Sequence, residues 1–146
     1  MKRLFKWFFC GLVLILAALI WGGVHRQLAF NELYRMVDQA DELVVRGGEF
    51  SGDFQGKALF TSREKKDRTE LKEAMVPVFW TIDDECSCLG KGTLKIFLYR
   101  DGKELTVIST IHDQSIRWST RKMDTRLRDP QKWGDWFAAR GIKRPE

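Results

Sequence analysis

Cys86 and Cys88 stand one residue apart, and His112 follows on a later, strand-like segment. Two thiolates and an imidazole are soft ligands that suit zinc or copper(I). A closed structural site takes four such ligands, so this set needs a carboxylate of Asp83-Asp84-Glu85 or a water as well. The same thiols can instead close a Cys86–Cys88 disulfide. That loop is very small, which makes the bond strained and easily reduced. Plain packing is the third reading, because free cysteine often behaves as a small hydrophobe.

A second cluster is basic. Arg117, Arg121, Lys122, Arg126 and Arg128 run from just before Trp118 to just short of Trp133. Arginines among aromatics suit nucleic acid, anionic headgroups or an acidic protein face. They also suit a simple solvated connection, and Asp124 and Asp129 interrupt the run.

Other combinations fail on spacing. His112-Asp113 with Ser109 and Ser115 has hydrolase residue types, but there is no Gly-x-Ser-x-Gly elbow, and a triad is set by geometry and not by adjacency. No acid pair for glycoside chemistry stands out. Gly52-Asp53-Phe54-Gln55-Gly56-Lys57-Ala58 resembles a phosphate-binding loop only in outline. The glycine spacing is one residue short, and alanine stands where Ser or Thr is needed. The expectation is therefore binding without catalysis, and no cofactor unless Cys86, Cys88 and His112 hold zinc or copper as a redox or metal module.

What must position these residues begins at the N-terminus. Lys2, Arg3 and Lys6 precede an uncharged run of 18 residues, Trp7 to Val24. As a helix the run spans roughly 27 Å, close to the hydrocarbon thickness of a bilayer. Trp7 and Trp21 sit near its two ends, where interfacial aromatics lie. A cleaved signal peptide has a shorter apolar region and a small-x-small site. Cleavage after Ala18 would leave Leu16 at the −3 position. The run is thus expected to stay as a signal-anchor. The basic flank keeps the N-terminus inside, and the C-terminal domain lies outside the cytoplasm, in a bacterial inner membrane facing the periplasm. Cys10 lies within the run and is not a lipidation site. Ala18 and Gly22 make a small-xxx-small pair.

In that compartment the basic cluster faces an envelope protein or an anionic surface, and nucleic acid is not the expected partner. The charge is uneven. Residues 27–116 hold 12 basic and 16 acidic side chains, whereas residues 117–146 hold nine and four. An oxidising compartment permits the Cys86–Cys88 bond.

The domain organisation follows: residues 1–24 as the anchor, 25–40 as a juxtamembrane amphipathic helix, and 41–146 as one α+β domain. Leu33, Val37 and Ala40, with Phe30 nearby, mark the helix stripe, and Gly22-Gly23 is read as a break from the anchor. Glu42–Arg46 reads as a strand, then a glycine-rich loop, then strand-like KALFTS. Thr61-Ser62-Arg63-Glu64 matches a capping box, with Leu71, Ala74 and Met75 as the helix stripe and Pro77 as its stop. VFWTI at 78–82 is a strand.

Asp101-Gly102 marks a type I′ hairpin, in which Arg100 faces Lys103, Leu98 faces Leu105 and Ile96 faces Val107. Ser115–Ser119 makes another strand. Asp129-Pro130 opens a last helix with Trp133, Trp136 and Phe137 inward and Gly141 at its end. The sum is an antiparallel sheet of about five strands with flanking helices.

Overall fold

The computed structural model describes residues 2–47, 56–78, 94–111 and 114–143. It begins with α1 (Lys2–Gln39), a single uninterrupted helix. The expected break at Gly22-Gly23 is absent. Glycine inside a helix costs only about 1 kcal/mol each relative to alanine, and no proline falls within α1.

The two halves of α1 differ in surroundings. Between Leu12 and Val24 the large apolar side chains are 45–70% exposed. Beyond them, Phe30, Leu33 and Val37 are fully buried, with Met36 and Ala40 beside them.

The remaining elements are β1 (Glu42–Gly47), β2 (Lys57–Ser62), α2 (Lys65–Ala74), β3 (Lys95–Arg100), β4 (Lys103–Ile111), β5 (Ser115–Trp118), β6 (Arg121–Arg126) and α3 (Pro130–Ala138). The strands form one six-stranded sheet in the order β2-β1-β3-β4-β5-β6. Every described pairing is antiparallel. The fold is α+β.

The C-terminal half of α1, together with α2 and α3, forms a single core with the sheet. Leu43, Val45, Ile96, Leu98, Ile108, Ile116 and Trp118 meet Leu71, Met75, Trp133, Trp136 and Phe137 there. Phe30 packs edge-on to Trp118 at 5.2 Å, which ties α1 to β5. The Tyr34 hydroxyl donates to the Met75 carbonyl at 3.3 Å, and burial raises the phenol's pKa above its ordinary value.

The β3–β4 turn matches its sequence signal. Asp101 and Gly102 have φ of 51° and 74°, the two positive values that a type I′ turn requires. Arg100 pairs with Lys103 and Tyr99 with Glu104. A bulge between Leu98 and Tyr99 then shifts the register, so Leu98 pairs with Thr106 and Ile96 with Ile108. This corrects the expected pairing of Leu98 with Leu105 and of Ile96 with Val107. One extra residue reverses the faces of β4. Thr106 and Ile108 are buried, while Leu105 and Val107 are only half-buried.

Two further expectations change. Arg121–Arg126, read as a charged connection, is the sixth strand. Its apolar alternation is concealed because buried positions are filled by Asp124 and Thr125. The capping box also moves. Thr61 and Ser62 finish β2, and α2 starts at Lys65 with no side-chain cap on Glu64. Ser62 instead accepts from the Glu64 N–H at 3.0 Å and donates to Asp67 at 2.5 Å.

At α3 the reading holds. Asp129 accepts from the Lys132 N–H at 3.0 Å, Pro130 occupies the first turn, and Gly141 has φ of 70° just past the end. The glycine-rich loop at 48–55 and all but Val78 of the strand expected at 78–82 lie outside the described residues.

Candidate functional site

Cys86, Cys88 and His112 all lie outside the described residues, as do Asp83-Asp84-Glu85 and Asp113. Among the described residues, no group of three His, Cys, Asp or Glu side chains gathers as metal ligands. The basic cluster and the opposite edge of the sheet are both described, and they differ in construction.

Arg117 on β5 donates from Nε to Asp124 on β6 at 2.7 Å, and Asp124 is 5% exposed. That arginine ties two strands together. Arg121 and Lys122 open β6, with Arg121 paired to Trp118 in register. Because Trp118 meets Phe30, this turn lies beside α1 soon after its apolar run ends. From Val24 to Phe30 is six residues, about 9 Å of helix. Arg126 is exposed and reaches Gln114 at 3.4 Å, and Arg128 is exposed beyond the strand. The cluster is therefore one structural arginine, two residues that open β6 near the apolar half of α1, and two surface cations.

The outer side of β6 is closed by the chain after α2. The Val78 N–H donates to the Arg126 carbonyl at 3.0 Å, and the Arg128 N–H donates to the Val76 carbonyl at 2.8 Å. Pro77 bridges to Leu127 between them.

The far edge, β2, borders a cleft of about 580 Å³, within the range of ligand pockets. One wall is Phe60 to Glu64; the other is Lys66, Asp67 and Glu70 on α2, with Ala139 and Arg140 from the end of α3. Arg140 organises the cleft. Its side chain is 6% exposed and makes ion pairs with Asp67 and, at 2.8 Å, with Glu70. Nη1 donates to the Trp136 carbonyl at 2.8 Å. The guanidinium lies 4.1 Å from the Trp136 ring centroid and 5.6 Å from that of Phe60, a stacked arrangement that arginine favours.

The charges of the cleft are mostly committed. Burial pushes the Asp67 carboxyl up, but hydrogen bonds from Ser62 and Arg140 and the charges of Arg140 and Lys66 outweigh it. The pKa falls below its ordinary value. An acid held this way is a poor proton acceptor near neutral pH. Ser62 donates its proton to that same carboxylate. The arrangement is a set of ion pairs, hydrogen bonds and a guanidinium–ring stack centred on Arg140.

Sequence reasoning passed over this cleft. Arg140 stood only as one of several C-terminal cations, and nothing in the spacing of Ser62, Asp67, Glu70 and Arg140 marks them as neighbours. The i, i+3 spacing of Asp67 and Glu70 on one helix face is the one readable clue. Comparisons with protein-family models, with curated proteins and with solved structures find no match for this chain.

Proposed function

We propose that this chain is a single-pass membrane protein with its N-terminus inside and its α+β domain outside the cytoplasm, and that the domain acts by binding. The observation that carries the reading is α1. One helix holds a stretch long and apolar enough to cross a membrane, with its large side chains exposed, and then runs directly into the core of the domain. An exposed apolar helix of that length calls for lipid around it. Because the same helix supplies Phe30, Leu33 and Val37 to the core, the domain is held close to the bilayer and not on a flexible tether.

Two features support binding to an anionic surface or an envelope protein on this side. The β5–β6 turn with Arg121 and Lys122 lies beside the membrane-proximal part of α1, and Arg126 and Arg128 extend the basic edge. Basic residues at a headgroup layer gain about 1 kcal/mol each.

The test is membrane fractionation of the full chain with an alkaline carbonate wash, followed by protease treatment of sealed cells or vesicles. The chain is expected to stay in the membrane pellet at its full mass, with the domain digested only from outside. Recovery of a soluble product lacking the N-terminal run would overturn the reading, as would digestion only from the cytoplasmic side.

A further inference from the structure

We propose that the β2 edge and the cleft beside it take an extended segment of another polypeptide as a seventh, antiparallel strand. This deepens the binding reading above by naming the partner's chemistry, and it rests on that reading for the function it serves.

β2 is the last strand on its side of the sheet. An edge strand turns alternate N–H and C=O groups outward. Those of Lys57–Ser62 have no partner among the described residues, although the flanking groups do. The Gly56 carbonyl accepts from Arg46, the Arg63 carbonyl from Arg68, and the Glu64 N–H donates to Ser62. The unpaired stretch is thus bounded at both ends and is one strand long. Lys57, Ala58, Leu59 and Thr61 are exposed along it.

The cleft explains why a peptide fits better than a second copy of the sheet. α2 and the Arg140 turn stand along one face of the edge. Alternate side chains of an added strand therefore enter the cleft between Phe60 on one wall and Lys66, Asp67 and Arg140 on the other. A β-bulge at Leu59, left between the Val45–Phe60 and Arg46–Ala58 pairs, kinks the edge. Two kinked edges do not align with each other, whereas a single flexible strand follows one kink.

Charge sets the direction. Lys57 at one end and Glu64 at the other make no ion pair in the described structure. An antiparallel strand that meets Glu64 with a base near its own N-terminus and Lys57 with an acid near its C-terminus satisfies both. The recognised segment therefore has alternating β-forming residues between a leading base and a trailing acid.

The probe is the octapeptide KTVTVTVE, with its charge-reversed partner ETVTVTVK, titrated into the full chain in lipid nanodiscs. Binding is followed by backbone amide hydrogen exchange. KTVTVTVE is expected to bind at least tenfold more tightly than ETVTVTVK and to protect alternate amides of Lys57–Ser62, leaving β6 unchanged. Methylating the alternate amide nitrogens of the peptide that face the edge should abolish binding, while methylating the other set should not. Thr61→Pro and Ala58→Pro make the matching change in the protein.

Equal binding of both peptides, or protection elsewhere, would overturn the proposal, as would insensitivity to either methylated set. Self-association of the free chain through β2, seen by sedimentation and abolished by the same proline variants, would overturn it in favour of a second copy. These outcomes are separate from the fractionation test. A chain that sits in the membrane but ignores the peptides loses only the edge proposal, and a soluble chain that binds them loses only the anchor.

Discussion

At the β6 edge, Val76–Val78 runs along the strand, pairs with Arg126 and Arg128, and places Pro77 against Leu127. At the β2 edge no described segment does the same, and α2 stands back from the strand to leave a cleft. Both edges belong to one sheet, and five interstrand spacings put them about 24 Å apart. The closed edge is bound into the core: Leu127 just past β6 and Ile116 and Trp118 on the neighbouring β5 are buried, and Asp124 pairs with Arg117. The open edge carries exposed side chains over a charge network. Closing an edge commits its backbone groups to the fold itself, and an edge with no described neighbour turns alternate groups outward.

That contrast can be broken by mutation. The largest effect belongs to the closed side. Trp118→Ala removes the ring that meets Phe30 and opens a cavity between α1 and β5; a loss of about 3–5 kcal/mol is expected in denaturant unfolding. A loss below about 1 kcal/mol would mean that α1 is not tied to the sheet there.

Arg140→Met comes next. It leaves Asp67 without its ion pair in a half-buried site, and the loss expected by thermal or denaturant unfolding is about 3 kcal/mol. The same variant sharpens a pH prediction. The folded pKa of Asp67 lies below its unfolded value. Its contribution is therefore complete above the ordinary carboxylate range and is lost as pH falls through the folded value. Stability of the native chain measured from pH 6 downward should show that acid loss, and Arg140→Met should show less of it.

The double change Arg126→Ser with Arg128→Ser tests the surface role of the basic edge. Affinity of the domain for vesicles containing anionic lipid should fall by about 1 kcal/mol per charge, with salt dependence reduced and stability nearly unchanged. The smallest effect belongs to the open edge: Leu59→Ser, at a side chain 45% exposed, should change stability by less than about 0.5 kcal/mol. A large loss there would mean that Leu59 is packed and the edge is not free.

How far the sequence could be read depended on the range of the interaction. Asp129, Pro130 and Gly141 act within a few residues of themselves, and the start and end of α3 follow from them. The Asp101-Gly102 turn is likewise local. The bulge beside Leu98 is not. It depends on how β4 meets both β3 and β5, and no residue type at 98 or 99 announces it. β6 escaped notice for the same reason. Asp124 takes a buried strand position where Arg117 on the neighbouring strand pairs with it, so a charge hid a strand. Gly22-Gly23 misled in the other direction, since two glycines weaken a helix without ending it.

By itself the sequence determined the apolar N-terminal run, the amphipathic stripe that follows it, the hairpin turn, the last helix and the α+β class. Each rests on periodicity or on a preference that neighbouring residues express alone. Only the tertiary structure decided that the apolar run and the core share one helix, which edge of the sheet is closed, and that Ser62, Asp67, Glu70 and Arg140 meet in one cleft. Those outcomes come from contacts between residues far apart in the chain, such as Phe60 and Arg140, 80 positions apart, and Phe30 and Trp118, 88 apart, and spacing along the chain carries no record of them.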